Sequence, residues 1–501
     1  NIRNFLTINT HDFIDTGFNY TWFNLSTGAV GTTFSGHTAS ITDVGNSWYR
    51  CSITFTSVAA GSSPDIGFGI ADTDGTITVT DDQKGIYLWG AQIEQRSSAT
   101  AYTPTTSSPI VKYQPVLQTA ASGEARFDHD PVTGESKGLL IEEARTNLLP
   151  YSEAFDNGQW NTVKTNITTN NLIAPDGLLT ADTIVEDAIS GEHYIQENLT
   201  AATGTFTDSV FLKANGVRKV GIRPVHEGAD QGATQQANFD LTDGTIYSTQ
   251  SGVTSSIEYV GNGWYRCAIT YTVSGTLSGA YAFRIQLYQP DESGILGTYT
   301  GDGYSGVFVW GAQREVGSFP TSYIPTSGST VTRAGDDAAI TGVTEFNEIV
   351  SKAGSTLYFE GASTSTDGNW GRLVQLGSSS GVGIARLEVF HRPRISSQQV
   401  AATIYSASNT TLANITMTGV LDNTGDIKVA VAFAENDLSG KVTGNSLVSD
   451  TDAYSFPDYT FDGIGIGGQP SGGANIVGHI RKIAIYPKRL PNATLQAMTE
   501  E

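Results

Sequence analysis

With 501 residues, a formal net charge of −22 and only 16% charged residues, the chain is long enough for about three domains with cores of their own. The acidic balance excludes a nucleic-acid partner, which needs a basic footprint. It fits a soluble acidic surface, with or without bound cations. No apolar run approaches a membrane span, the longest being the strand-like stretch Val429–Ala434, so membrane insertion is not expected.

Residues 1–106 contain GNSWYRCSITF at Gly45–Phe55, and the stretch returns as GNGWYRCAITY at Gly261–Tyr271. Trp, Tyr, Arg and Cys match at one offset of 216 (264 − 48), and FNLSTG at Phe23 matches FDLTDG at Phe239 at the same spacing. A second block, YLWGAQIE at Tyr87–Glu94, matches FVWGAQRE at Phe308–Glu315 at an offset of 221 (310 − 89). Each copy closes on Tyr102-Thr-Pro-Thr or Tyr323-Ile-Pro-Thr. One domain is used twice. Read with a period of two, Tyr265, Cys267, Ile269 and Tyr271 share one face, and Trp264, Arg266, Ala268 and Thr270 the other. That alternation of aromatic and β-branched residues marks a strand of an antiparallel sheet. With Asp-Gly and Gly-Asn-Gly turns between short strands, each copy is expected to be a β-sandwich or jelly roll. Cys51 and Cys267 are the only cysteines and sit at the same position of different copies, so no disulfide forms within a copy. Each is expected as a small buried hydrophobe. Copy two begins near Asn147, and Asn1 aligns with Val217, so copy one is expected to lack an N-terminal part of about 70 residues (217 − 147).

Residues 107–146 link the copies as a β-hairpin. Pro131 and Gly134 fit its turn, and Leu139–Ile141 return as an apolar strand. Asp128 and Asp130 project to one side of an extended chain and are the candidate metal ligands, for a structural calcium. Asp72–Asp74, Asp81-Asp82 and Asp336-Asp337 are further acidic turns of that kind. No other cofactor is expected. Residues 147–332 are the second jelly roll. Residues 333–501 are a different β domain, with strands at Thr356–Glu360, Leu373–Leu376, Leu387–Phe390, Ile427–Phe433 and Ile480–Tyr486. The single helical signal is Pro491–Met498, where Pro fits the first turn.

The run ARFDHDPVTGESKGLLIEEARTNLL, followed by GNGWYRCAITYT and a WGAQ block closing on SFPTSYIPT, resembles modular structural proteins of tailed bacteriophages. In these, jelly rolls similar to carbohydrate-binding modules are strung along tail fibres and receptor-binding tail-tip proteins. The last domain resembles a concanavalin A-like lectin or laminin-G-like sandwich, through Lys428–Ala434, Gly444-Asn445 and Gly478–Pro487. The resemblance covers most of the chain, in scaffold motifs. It implies an all-β fold of tandem jelly rolls followed by a concanavalin A-like sandwich. It further implies a virion location, other tail proteins as partners, a homotrimer, and noncovalent adhesion to host cell-surface glycan.

Glycan-cutting enzymes of the concanavalin A-like fold resemble one another in a Glu-x-Asp-x-Glu strand, whose alternating carboxylates share one groove. No such run exists, and Glu360 and Glu388 stand alone on their strands. The seven His, His11, His37, His129, His193, His226, His391 and His479, form no HExxH and no paired ligand spacing. The chain is therefore expected not to be an enzyme. Sugar binding uses exposed aromatic faces. Trp48, Trp89, Trp264 and Trp310 recur between copies and are expected in cores. Trp22, Trp160 and Trp370 do not recur and are the candidate carbohydrate-binding residues. Trp370 sits in the loop-like Asp367-Gly-Asn-Trp-Gly371. The alternatives are a purely architectural virion protein (head fibre, capsid decoration or tail spacer), and a bacterial adhesin or glycan-degrading enzyme.

Overall fold

The computed structural model describes residues 4–14, 17–58, 64–80, 84–94, 99, 102, 115–216, 219–226, 235–276, 279–291, 294–343, 350, 353–363, 371–377, 385–392, 398–419, 427–454, 461–468 and 476–500. They are almost entirely strand and loop, with one helix at Asn492–Glu500. Contacts divide the chain into two compact units, 1–113 and 114–501. The expected all-β class is the class observed.

In the first unit, a four-stranded antiparallel sheet runs in the order Ala29–Thr33, Phe18–Asn24, Phe5–His11, Asp65–Ala71. Thr38–Asp43 and Tyr49–Thr54 pair separately as a hairpin. Leu6, Ile8 and Phe23 are buried, and Ala39, Ile41, Cys51 and Ile53 of the hairpin pack on them.

The second unit contains two sandwiches. In the first, one sheet runs Trp160–Val163, His193–Asn198, Tyr281–Asp291, Lys219–Ile222, Ala237–Asp240, Thr245–Thr249. The facing sheet runs Thr165–Ile173, Leu179–Glu186, Gly306–Val316, Gly204–Asn215, Trp264–Val273, Thr254–Gly261. Cys267, Ile269 and Tyr271 point into the space between them with Phe206, Val210, Phe239, Phe283 and Val309, as the alternation requires. Trp264 lies on the opposite face and is buried there with Phe211 and Trp310. The order Tyr281–Asp291, Lys219–Ile222, Ala237–Asp240, Thr245–Thr249 repeats that of Asp65–Ala71, Phe5–His11, Phe18–Asn24, Ala29–Thr33 in the first unit. The sequence repeat is thus a repeat of topology.

The copies part where the WGAQ block folds. In the second unit the block lies in a strand between Leu179–Glu186 and Gly204–Asn215, and Trp310 is 2% exposed. In the first unit residues 86–94 form no strand, and Trp89 is 73% exposed. Trp48 is likewise 42% exposed where Trp264 is 1%. The expectation that these tryptophans are core therefore holds in the second copy only. No strand among the described residues of 1–113 covers them in that way.

One interior position breaks the apolar pattern. Asp208 and Arg314 are neighbours across adjacent strands, and both are buried inside the sandwich. Arg314 Nε lies 3.2 Å from Asp208 Oδ1, Tyr271 Oη donates to Asp208 Oδ2 at 3.0 Å, and the guanidinium faces the Tyr281 ring at 4.6 Å. Burial pushes the Asp208 carboxyl up to about 7 despite Arg314. Glu197, also buried, has no hydrogen-bond partner on either oxygen and is pushed up to about 7 by burial.

The last sandwich pairs two sheets. One runs Ala338–Thr341, Gly463–Ile466, Gly371–Gly377, Arg386–Arg392, Gln398–Tyr405, Thr411–Gly419. The other runs Val448–Asp450, Asp437–Val442, Ile427–Ala434, Ser355–Ser363, Gly478–Tyr486, Ser136–Ile141, Phe127–His129. The five strands and the helix read from the sequence all form, with ends shifted by a residue or a few. The hairpin 127–141 does more than link. It adds two edge strands to this sheet, pairing Leu139 with Ile480, and Ile141 enters the core at 1% exposure. Arg126, just before it, donates from Nη1 to Glu142 Oε2 at 2.7 Å and also pairs with Asp336. Glu142 further accepts from the Ser322 N–H at 2.7 Å and faces Arg333 Nη2 at 3.4 Å. This network ties the hairpin to the segment leaving the previous sandwich.

Candidate functional site

The most developed polar surface is the outer face of the sheet that carries His193–Asn198 and Tyr281–Asp291. Ile195, Phe283, Ile285, Val220 and Phe239 of this sheet face the core. Their neighbours in sequence, Tyr194, Gln196, Arg284, Gln286, Gly221 and Asn238, therefore face outward. The register brings them together: Gln196 pairs with Arg284, Tyr194 with Gln286, and Gly221 with both Gln286 and Asn238.

Arg284 Cζ lies over the Tyr194 ring, 3.8 Å from its centroid, and its Nε and Nη2 donate to Gln196 Oε1 at 2.9 and 2.7 Å. A guanidinium stacked on one face and held by an amide along one edge is fixed in orientation. Its Nη1 has Glu192 Oε2 at 3.8 Å. Arg223 Nη1 donates to Glu192 Oε1 and to Gln286 Oε1, both at 3.2 Å. Tyr288 Oη donates to Gln236 Oε1 at 3.4 Å, and Asn238 Nδ2 donates to Ser248 Oγ at 2.9 Å. Gly221 permits this crowding. A Cβ there would stand 2.5 Å from Asn238 Oδ1 and 2.7 Å from Tyr288 Cε2. Burial lowers the Arg284 pKa, and it pushes the Tyr288 hydroxyl up to about 12, so the phenol stays protonated at neutral pH. Two guanidinium groups face one carboxylate, a local positive excess on an acidic chain. Gln286, Asn238 and Tyr288 are buried at 1%, 2% and 5% exposure, so the part of the face open to a ligand is the half-buried Tyr194, Gln196, Arg223 and Arg284 beside Glu192. Fixed donors beside an aromatic plane suit hydroxyl-rich or anionic ligands.

The sequence-predicted residues lie elsewhere. Trp22 lies in a row of rings with His11, Phe18 and Tyr20. It is only 8% exposed, and its indole N–H donates to the Thr76 carbonyl at 2.7 Å. Trp160 is 4% exposed, packs on Phe155 and Phe283, and donates to the Tyr151 carbonyl at 2.9 Å. Trp370 lies outside the described residues. Asp128 and Asp130 turn to separate partners. Asp128 Oδ2 meets His479 Nε2 at 2.8 Å and Lys137 at 3.7 Å. Asp130 Oδ1 accepts the N–H groups of Val132 and Thr133 at 2.9 and 2.8 Å, closing the hairpin turn. Asp72 and Asp74 accept from Thr80 and Thr32 in the same way, while Asp81-Asp82 lie outside the described residues. Among the described residues no group of three or more His, Cys, Asp or Glu is placed to hold a metal ion. Glu388 is held by Arg372 and Arg386 at 2.9 and 2.8 Å, and Glu360 accepts from Tyr358 at 2.9 Å.

Sequence reasoning missed the Arg223–Arg284–Tyr194 face. Its signal was present in part, as polar residues alternating with core residues in Tyr281–Tyr288. What the alternation cannot supply is the pairing of that strand with His193–Asn198 and Lys219–Ile222.

Fold and face together define a protein of serial β-sandwiches with a polar, aromatic-backed sheet face on one of them. No family model and no curated protein matches the chain. Among solved structures, it is similar to the CBM40 module of the Ruminococcus gnavus IT-sialidase at 14% identity, over 30% of this chain and 84% of that one, with a TM-score of 0.25. It is similar to domains LG4-5 of the mouse laminin alpha1 chain at 11% identity, over 77% and 96%, with a TM-score of 0.20. It is similar to the Trypanosoma rangeli sialidase at 12% identity, over 99% and 91%, with a TM-score of 0.23.

Proposed function

We propose that this chain is an adhesive structural protein that binds surface glycan noncovalently, and that the outer face around Arg284 and Arg223 is its principal contact. The observation that carries this reading is the guanidinium of Arg284, stacked on Tyr194 and oriented by Gln196. A side chain so fixed gives hydrogen bonds to hydroxyl or carboxylate oxygens at little entropic cost. The resemblance of its sequence to tailed-phage fibre and receptor-binding proteins supports a place on a virion tail, among other tail proteins. A homotrimer would multiply weak sites into avidity. In this reading no bond of the glycan is broken, and structural calcium plays no part at the face. The test is to incubate the purified chain with intact host cells and their extracted surface polysaccharide, assaying new reducing ends or unsaturated products in the same tubes. Saturable binding without products supports the proposal, and products overturn it.

A second reading, a purely architectural spacer, is favoured by the Arg126–Glu142–Arg333–Asp336 network, which ties successive modules together. Absence of both binding and products in the same assay would select it.

A further inference from the structure

We infer that Arg223 and Arg284 form the seat for a carboxylate of an acidic glycan, that Glu192 fills this seat when no ligand is bound, and that the ligand displaces it. This rests on the reading of that face as the glycan contact, and it adds the charge of the sugar and the side chain that competes with it.

The two arginines are joined through the backbone. The Arg223 N–H donates to the Arg284 carbonyl at 2.9 Å, just past the end of Lys219–Ile222 where that strand pairs with Tyr281–Asp291. Both guanidinium groups then reach the same carboxylate. Glu192 Oε1 accepts from Arg223 Nη1 at 3.2 Å and from Gln286 Nε2 at 3.4 Å, and Glu192 Oε2 lies 3.8 Å from Arg284 Nη1. Bonds from a guanidinium to a carboxylate ordinarily close to about 2.7–2.9 Å. Three donors therefore converge on Glu192, and none closes on it.

The seat also keeps unused donors and charge. Arg284 Nη1 and Arg223 Nη2 have no hydrogen-bond partner among the described residues. One carboxylate between two guanidinium groups leaves one positive charge unmatched. Burial, and beyond it the charge of Arg223, lower the Arg284 pKa, as a like charge left uncompensated does.

Donor and acceptor differ in freedom. Arg284 is pinned by the Tyr194 ring and by Gln196, and its side chain is 11% exposed. Glu192 belongs to no strand, stands just before His193–Asn198, and its side chain is 41% exposed. Rotation of the Glu192 side chain takes its carboxylate into water and leaves the donors in place. A carboxylate on a sugar ring can then accept from Arg284 Nη1 and Arg223 at full hydrogen-bonding distance. A neutral sugar offers only hydroxyls in exchange for a charge-assisted contact, and such hydrogen bonds are about half as strong. The face therefore selects acidic sugars, and Glu192 sets the threshold that they must exceed.

The probe is polygalacturonate, which carries a carboxylate on each sugar, compared with its carboxyl-reduced form, the neutral polymer of the same linkage. Both are titrated into the full chain at low salt. Polygalacturonate should bind at least about tenfold tighter than the reduced polymer. Glu192→Gln keeps the shape and removes the charge, and it should tighten polygalacturonate at least about threefold while leaving the reduced polymer unchanged. Arg223→Ala should weaken polygalacturonate about tenfold. Glu258→Gln makes the same change of net charge on the facing sheet, where the side chain is 62% exposed, and should leave both titrations as in wild type. Equal binding of the two polymers, no binding of polygalacturonate, or a Glu192→Gln effect no larger than that of Glu258→Gln would each overturn the inference. Extracted host polysaccharide titrated in parallel separates the two claims. If it binds in an Arg284-dependent way while polygalacturonate fails, the glycan reading stands and the carboxylate seat falls; if no polymer binds, both fall.

Discussion

Replacing Arg314 by Leu tests how the second sandwich tolerates charge in its interior. The change removes the cation beside Asp208, whose carboxyl sits at 0% exposure and accepts from Tyr271. Breaking a buried ion pair from one side costs about 3–5 kcal/mol. For a unit of this size that is a fall of about 6–20 °C in the transition temperature, at about 2–4 °C per kcal/mol. Replacing both partners, Arg314→Leu with Asp208→Leu, should recover most of the loss, because no lone charge remains. The sign with pH is fixed by Asp208. Its folded pKa, pushed up to about 7, lies above the ordinary value of 3.8. Its favourable contribution is therefore complete at acid pH and lost as pH rises through about 7. The deficit of Arg314→Leu should accordingly be larger at pH 8 than at pH 5, since the orphaned carboxyl takes up a proton at the lower pH. Scanning calorimetry of wild type, single and double variants at both pH values reads all of this. A deficit independent of pH, or a double variant no better than the single, would refute the reasoning.

Glu197→Gln should stabilise the same sandwich by up to about 3 kcal/mol at pH 8 and leave it unchanged at pH 4, because the carboxyl, raised to about 7, is costly only when ionised; denaturant titration at the two pH values checks it. Glu142→Gln should cost about 1–3 kcal/mol by leaving Arg126 and Arg333 without their shared carboxylate. Burial alone would raise Glu142, but Arg333, Ser322 and Arg126 hold it below its ordinary value. Its contribution is therefore present above the ordinary value of 4.5 and lost as pH falls through its lowered folded value, with faster limited proteolysis around residues 142 and 333 in acid as the readout. Gly311→Ala should destabilise by about 1–3 kcal/mol, because φ is +62° and the new Cβ would meet Phe211 Cδ2 at 2.9 Å; thermal unfolding followed by tryptophan fluorescence measures it.

Much of the fold was legible because it is written locally. The period-two run Trp264–Tyr271 makes the strand it predicts, and the paired motifs fold into the same strand order twice. The Trp-Gly and Tyr-x-Pro-Thr motifs recur because a ring packs over a left-handed glycine in both copies. What was not legible depends on pairings between distant strands. The hairpin 127–141 reads as a linker until Leu139 is seen against Ile480. Trp22 reads as a candidate sugar-binding aromatic, yet the loop at Thr76 covers it. Trp160 reads as an unmatched aromatic and is a core residue packed on Phe283. Arg314 is one charge in the block FVWGAQRE. Its burial follows from strand parity together with the partner Asp208, and copy one carries Ile93 at that place.

The account turns on the face built by Tyr194, Gln196, Arg223 and Arg284. The most direct test is titration of the purified chain with extracted host-surface polysaccharide, comparing wild type with Arg284→Ala and with Tyr259→Ala on the opposite sheet. The account predicts that Arg284→Ala weakens binding about tenfold or more, the worth of hydrogen bonds from a charged donor, while Tyr259→Ala binds like wild type. Equal affinity of wild type and Arg284→Ala would contradict it.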